Sequence, residues 1–172
     1  MMAMVAPSLR QVSVGLADRF VTSDVNTQII TYALGSCLGI TVWDPERHVA
    51  GLLHLMLPES SVNPEKAANQ PFMFVDTGVP RFFKDAYALG ADKARLVVCV
   101  AGGAALGTPG EGSFQIGQRN IAALRKLFWK NGVLIRGQDT GGRTPRTMSI
   151  NVGTGEVTLK TDSGTKILSQ RD

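Results

Sequence analysis

The chain has 172 residues, about the length of one ordinary domain, and it is long enough to bury a hydrophobic core. Hydrophobic residues make up 44% and charged residues 19%, which excludes intrinsic disorder and a protein built of membrane spans. Lys and Arg number 18 against 14 Asp and Glu, a net charge of +4, but they are scattered without interleaved aromatics. We therefore expect a single globular domain over residues 1–172, with flexible residues at 1–10 and at the end, and no nucleic-acid partner.

The cellular compartment and the metal content follow from what the sequence lacks. No segment is apolar over the roughly 18–20 residues of a membrane helix, and residues 1–10 lack a signal-peptide pattern, so we expect a cytoplasmic protein without membrane insertion. Cys37 and Cys99 are too few for a disulfide framework. Together with His48 and His54 they also lack the spacing of zinc ligands, so we expect no metal.

The first part of the chain is typical of β-strands. Four segments rich in β-branched and apolar residues predict strands: residues 11–20, 28–34, 38–43 and 48–57. A turn containing Asp44 and Pro45 joins the last two, which predicts a hairpin. The polar residues 59–70, which include Pro64, predict an irregular loop.

Helices are predicted only in the later part. Apolar residues recur at helical spacing over residues 74–89, with Pro80 in an early turn or at a break, and over residues 116–131. The apolar run at 95–100 predicts a buried central strand. Four more segments predict strands: residues 133–138, 144–152, 156–161 and 165–169. The sum is a strand-rich α/β fold with two principal helices covering a sheet, for which a layered α/β sandwich is the natural solution.

Cys37 is the first candidate for chemistry. It lies where one apolar strand ends at Gly35 and Ser36 and the next begins at Leu38. Flanking glycines allow a sharp bend and the close approach of a substrate, which a nucleophile requires. The alternative is that Cys37 is a small, inert core residue.

His54 is the second candidate, because it is the only polar side chain of an otherwise apolar strand. A satisfied core histidine is the ordinary interpretation, but the hairpin brings this strand beside the one that begins after Cys37. The imidazole would then take the thiol proton and leave a thiolate–imidazolium pair near neutral pH. Thr31 is our candidate for the third group that orients the imidazole. Three carboxylates compete for that role: Asp44, Asp76 and Asp139.

Several segments resemble one bacterial family. The segment TYALGSC, from Thr31 to Cys37, and the segment HLMLP, from His54, resemble the signature of the chemoreceptor glutamine deamidases, the CheD family. Three further segments agree in the same order: AGGA from Ala101, IGQRN from Ile116 and DTGG from Asp139. The resemblance covers about residues 14–160, nearly the whole chain.

This resemblance implies a catalytic triad of Cys37, His54 and Thr31, and a three-layer α/β sandwich similar to the catalytic domain of the cytotoxic necrotizing factor toxins. It implies deamidation of specific glutamines of methyl-accepting chemotaxis receptors through a cysteine thioester, with no metal or cofactor. It also implies a second partner, a CheC-type phosphatase. An adaptor that binds this phosphatase, a receptor methylesterase and another cysteine amidohydrolase remain alternatives.

The remaining candidates are positions around the nucleophile. We expect the oxyanion to be held by the backbone N–H of Cys37 with help from Ser36, at the bend that Gly35 allows. Ser36 is alternatively only a turn residue. Gly102-Gly103 is ordinarily a tight turn, and Arg119 and Asn120 at the start of the second helix are ordinarily a surface residue and a cap.

Overall fold

The computed structural model describes residues 8–169 of the protein. Strands and helices alternate unevenly along these residues. The strands are β1 (Arg10–Ser13), β2 (Asp18–Thr22), β3 (Thr27–Leu34), β4 (Leu38–Asp44), β5 (Val49–Leu55), β6 (Val97–Gly102), β7 (Gly137–Thr140), β8 (Arg146–Asn151), β9 (Val157–Thr161) and β10 (Gly164–Ser169). The helices are α1 (Pro64–Asn69), α2 (Val75–Ala88) and α3 (Gly112–Asn131), with 3-10 turns at Ser60–Val62 and Pro71–Met73.

The strands form two sheets of five. The first sheet has the order β1-β3-β8-β9-β10, and the second has the order β2-β5-β4-β6-β7. Along β5 the side chains alternate between two hydrophobic clusters: Leu53 packs on the side of α2 and α3, and Leu52 packs on the side of the first sheet. Helices, second sheet and first sheet therefore stack as three layers, and each fully buried leucine or phenylalanine stabilises the stack by about 1.5–3 kcal/mol.

The structure confirms the mixed α/β class and most of the predicted elements. The hairpin is β4 and β5, paired antiparallel from Leu38–Leu55 to Asp44–Val49. The apolar central strand is β6, between β4 and β7 in the second sheet. Pro80 lies in an early turn of α2 without ending the helix.

Two predicted strands are wrong in their extent. Residues 11–20 do not form one strand, because the chain leaves the first sheet after β1 and enters the second sheet as β2. The crossing includes Ala17, whose φ of +56° turns the backbone. Residues 133–138 are mostly irregular, and the strand is β7, whose polar residues Gln138 and Asp139 obscure the pattern.

The predicted loop at 59–70 contains a helix that the sequence analysis missed. Asn63 caps α1 by accepting a hydrogen bond from the Lys66 backbone N–H, and Pro64 occupies the first turn. An Asn-Pro pair is a helix-start signal, so this element was open to prediction. The helix predicted at 116–131 is also longer, because α3 begins at Gly112.

The termini are only partly described. Residues 1–7 and 170–172, most of the ends predicted to be flexible, lie outside the described residues. Arg10 already belongs to β1, and its backbone N–H donates to Asn26 O at 2.8 Å. None of the helices in the described part is both long and apolar enough to cross a membrane.

Candidate active site

The three predicted site residues lie on β3, on β5 and in the connection between β3 and β4, and all three face the layer between the sheets. His54 on β5 pairs with Gly39 on β4, two residues after Cys37. Cys37 packs against the hydrophobic cluster between the sheets, to which Leu52 of β5 also belongs. Because side chains alternate along a strand, His54 faces the same layer as Leu52. Thr31 reaches this layer from β3 of the first sheet, where its Oγ1 lies 2.7 Å from His54 Nδ1.

Their burial differs in a way that suits different roles. His54 and Thr31 are almost fully buried, at 1% and 0% exposure, whereas Cys37 is half-buried. The thiol is therefore the member of the group that a substrate can reach from solvent.

One hydrogen-bond chain fixes the protonation of the imidazole. Thr31 Oγ1 lies 2.7 Å from Val14 O and 2.7 Å from His54 Nδ1. A carbonyl only accepts, so the Thr31 hydroxyl donates its proton to Val14 O and accepts from the Nδ1–H of His54. The neutral imidazole then carries its lone pair on Nε2, and this buried atom has no hydrogen-bond partner within residues 8–169.

The competing carboxylates are engaged elsewhere. Asp44 binds Arg95 and backbone N–H groups of its own turn, Asp76 binds Ser60, and Asp139 binds Arg146 and Lys166. Since the Thr31 hydroxyl occupies Nδ1, it is the group that orients His54.

Burial controls the electrostatics of the pair. It lowers the pKa of His54 to about 4. It also raises the pKa of the Cys37 thiol above its ordinary 9.0, while a hydrogen bond from the residue's own backbone N–H opposes that rise. Both shifts disfavour the charged forms. The structure thus favours a neutral thiol and a neutral imidazole at rest, and not the ion pair expected from the sequence.

This difference predicts how the thiol reacts with iodoacetamide. A neutral pair gives an alkylation rate for Cys37 that rises steadily from pH 6 to above pH 9, as thiolate forms, by about tenfold per pH unit. A resting ion pair would instead give a fast rate that is flat across neutral pH. Mass spectrometry of samples quenched at set times measures the alkylation rate at each pH. A rate that stays constant with pH below pH 8 would contradict the prediction.

The backbone around Cys37 is hydrogen-bonded to Gly103 and Ala104, the residues that follow β6. Gly103 N donates to Cys37 O at 2.9 Å, and Ala104 N donates to Gly35 O at 2.8 Å. At Gly102 a Cβ would lie only 2.2 Å from Cys37 O, and its φ is +110°. Gly102 ends β6, and Gly103 follows with a φ of +68°. Only glycine fits at position 102, because a side chain would displace the carbonyl of Cys37.

Arg146 binds the end of β6, and the sequence analysis missed it as a residue near the site. It is 7% exposed, and its guanidinium donates to Asp139 at 3.0 Å, to Gly102 O at 3.2 Å and to Gly141 O at 2.7 Å. The planar donors of arginine suit such a set of fixed acceptors. The DTGG segment contains the carboxylate that Arg146 binds, but the arginine directly after it is Arg143, so the segment alone does not single out Arg146.

Asn120 is not the helix cap that the sequence suggests. It lies inside α3, is fully buried, and donates through Nδ2 to Ser36 O and to Met56 O, both at 3.0 Å. Gly35 and Ser36 are thus bound through their carbonyl oxygens, and their oxyanion role stays a prediction.

In the described part of the chain no group of three His, Cys, Asp or Glu side chains is placed to hold a metal ion.

A half-buried thiol in the same layer as a buried imidazole, whose Nδ1 is bonded to a hydroxyl, is typical of cysteine-dependent hydrolases. Comparison with known proteins agrees. The family model described as CheD chemotactic sensory transduction matches residues 56–161, more than half of the chain. The chain belongs to the CheD family.

Curated relatives align with this chain over nearly the whole length of both sequences. One from Syntrophus aciditrophicus, named "Probable chemoreceptor glutamine deamidase CheD 1", is 47% identical over 89% of this chain and 95% of the relative. One from Solibacter usitatus with the name "Probable chemoreceptor glutamine deamidase CheD" is 39% identical over 93% of this chain and 94% of the relative. A relative with that name from Thermococcus kodakarensis is 36% identical over 92% and 97%.

The buried contact of Thr31 predicts a stability effect. Thr31→Val keeps the side-chain volume but leaves the His54 Nδ1–H and Val14 O unsatisfied, so we expect the free energy of unfolding to fall by about 1–3 kcal/mol. Thr41→Val is the matched control, because Thr41 is equally buried on β4 and its hydroxyl has no partner within the described chain. Urea denaturation measures both variants, and equal losses would contradict the assignment.

Proposed function

We propose that the protein hydrolyses the side-chain amide of specific glutamines on methyl-accepting chemotaxis receptors, with Cys37 as the nucleophile. The observation that carries this proposal is the hydrogen bond between Thr31 and His54 Nδ1, which leaves a buried Nε2 lone pair in the layer that contains the thiol. Membership of the CheD family and the printed names of the relatives support the choice of substrate.

The proposed reaction has two halves. In the first, His54 Nε2 accepts the Cys37 proton as the sulfur bonds to the carboxamide carbon, and the oxygen takes the carbonyl electron pair. When this intermediate collapses, the carbon–nitrogen bond breaks and His54 returns the proton to the departing ammonia. In the second half, His54 takes a proton from water, whose oxygen attacks the thioester, and then reprotonates the sulfur. Glutamate, ammonia and the free enzyme result.

The low basicity of His54 fits a transfer that is concerted with attack. A neutral imidazole is available as a base at every pH above about 4, which is where the pKa of His54 lies. The backbone N–H of Cys37 is the proposed oxyanion donor, because it adjoins the sulfur that bonds to the carboxamide carbon.

The proposal includes a cytoplasmic location and a fold similar to that of a toxin catalytic domain. Receptor glutamines are reached from the cytoplasm, and the net charge of +4 suits an acidic helical partner. The likeness to the catalytic domain of the cytotoxic necrotizing factor toxins stays a prediction, and the three stacked layers support it. Binding of a CheC-type phosphatase also stays a prediction.

The experiment is mass spectrometry of a receptor signalling fragment incubated with the protein. Hydrolysis of a glutamine amide adds about one mass unit and releases one ammonia, whereas hydrolysis of a glutamate methyl ester removes about 14 mass units. We expect the first change at particular glutamines. The second change alone would favour a methylesterase, and no change on any fragment would favour an adaptor.

A further inference from the structure

Asn120 connects the nucleophile to the base through one carboxamide. Its Nδ2 donates to Ser36 O, which directly precedes Cys37, and to Met56 O, two residues after His54. The Asn120 side chain is fully buried, whereas Ser36 and Met56 are half-buried. The contact spans the segment that carries the thiol and the strand that carries the imidazole.

The orientation of this carboxamide is fixed by chemistry. Two carbonyl oxygens face Nδ2, so the reversed amide would place Oδ1 against both of them. In the observed orientation Oδ1 is buried and has no hydrogen-bond partner among residues 8–169. Two donated hydrogen bonds are therefore kept at the expense of one unsatisfied acceptor.

The bond to Ser36 O determines where the Cys37 N–H points. The carbonyl of Ser36 and the N–H of Cys37 belong to one planar trans peptide, in which they point in opposite directions. With the carbonyl held toward α3, the N–H is directed away from that helix. A donor on the carbonyl also polarises the peptide and strengthens its N–H as a donor.

A glycine one turn earlier lets α3 come close enough for this contact. At Gly117 a Cβ would lie 2.5 Å from the carbonyl oxygens of Gly103 and Ala104. Asparagine is short, so its reach to Ser36 O depends on this approach. Gly117 and Asn120, three residues apart on one helix face, therefore act together.

We propose that Asn120 is a positioning residue, which holds the peptide between Ser36 and Cys37 so that the Cys37 N–H stabilises the oxyanion. This inference rests on the proposed function, since it needs an acyl transfer to Cys37. Asn120 contacts neither the substrate nor the reacting atoms in this assignment. Its loss slows the step that forms an oxyanion and spares reactions of the thiol that form none.

The test compares two electrophiles on purified full-length protein. p-Nitrophenyl acetate acetylates the sulfur through a tetrahedral oxyanion and expels p-nitrophenolate, whereas iodoacetamide alkylates it by direct displacement of iodide. In Asn120→Leu we expect acetylation of Cys37 to slow by about 10–100-fold, because one oxyanion donor is misdirected. Alkylation should change by less than about threefold, since no oxyanion forms.

The controls separate positioning from general damage. Asn131→Leu removes an asparagine amide from the same helix, one that donates to Leu127 O, and both of its rates should equal those of the wild type. Asn120→Ala repeats the test with a smaller side chain if Asn120→Leu does not fold. Equal rates in wild type and variant, or an equal loss of acetylation and alkylation, would overturn the assignment.

Neither arm needs a receptor. If the wild-type protein is acetylated at Cys37 but deamidates no receptor fragment, the proposed substrate fails and the ratio of the two rates still decides the role of Asn120. If p-nitrophenyl acetate does not acetylate wild-type Cys37, the oxyanion assignment and the nucleophile fail together.

Discussion

Cys37→Ala is expected to abolish glutamine deamidation, with a loss of at least about 1,000-fold in rate, because no acyl intermediate forms without the thiol. The fold should tolerate the change. Cys37 is half-buried at the edge of the cluster between the sheets, and alanine removes only the sulfur. We expect the free energy of unfolding to fall by about 1 kcal/mol or less. Ammonia release and fragment mass, measured at equal folded concentration, give the two quantities.

Cys99→Ala is the matched control for this prediction. Cys99 lies on β6 at 1% exposure, in the same hydrophobic cluster but with no access to a substrate. Its replacement should cost more stability than that of Cys37, because a fully buried side chain leaves a larger void. It should leave deamidation unchanged. A Cys37→Ala protein that still deamidates, or a Cys99→Ala protein that is folded but inactive, would refute the assigned nucleophile.

The candidate triad was predictable because its signals are local. The turn at Asp44 and Pro45 sets the register of the hairpin, and that register places His54 two residues from the level of Cys37. Thr31 is only six positions before Cys37, inside a strand whose burial alternates up to that residue. Each of these inferences needs only neighbouring strands of one continuous segment.

The parts that escaped prediction depend on contacts between distant segments. Asn120 and Ser36 are 84 positions apart, and Arg146 and Gly102 are 44 apart, so no periodicity links them. The passage of the chain from the first sheet to the second between β1 and β2 is equally hard to predict, because both segments have the composition of strands. The resting charge state was missed for the same reason: the pKa of a thiol or imidazole depends on how deeply the finished fold buries it.

His54→Leu is expected to separate activity from stability. Deamidation should fall by about 100–10,000-fold, because the general base that takes the Cys37 proton is removed. Stability should be unchanged or higher, since leucine replaces a buried side chain whose Nε2 has no partner in the described structure. Thr31 keeps its bond to Val14 O in this variant. Deamidation rate and urea denaturation of the same preparation measure both effects.

The dependence on pH and on Thr31 makes this prediction specific. Folding lowers the pKa of His54 to about 4 from an ordinary 6.5, so between these values the unfolded chain binds a proton that the folded chain does not. The wild type therefore loses stability relative to His54→Leu as the pH falls from about 6.5 to about 4, and the difference is constant outside that window. His54→Leu should also recover part of the stability lost in Thr31→Val, because the unsatisfied Nδ1–H is gone. Strictly additive effects of the two substitutions, or a difference that does not grow as the pH falls, would show that His54 and Thr31 are not coupled as the 2.7 Å contact implies.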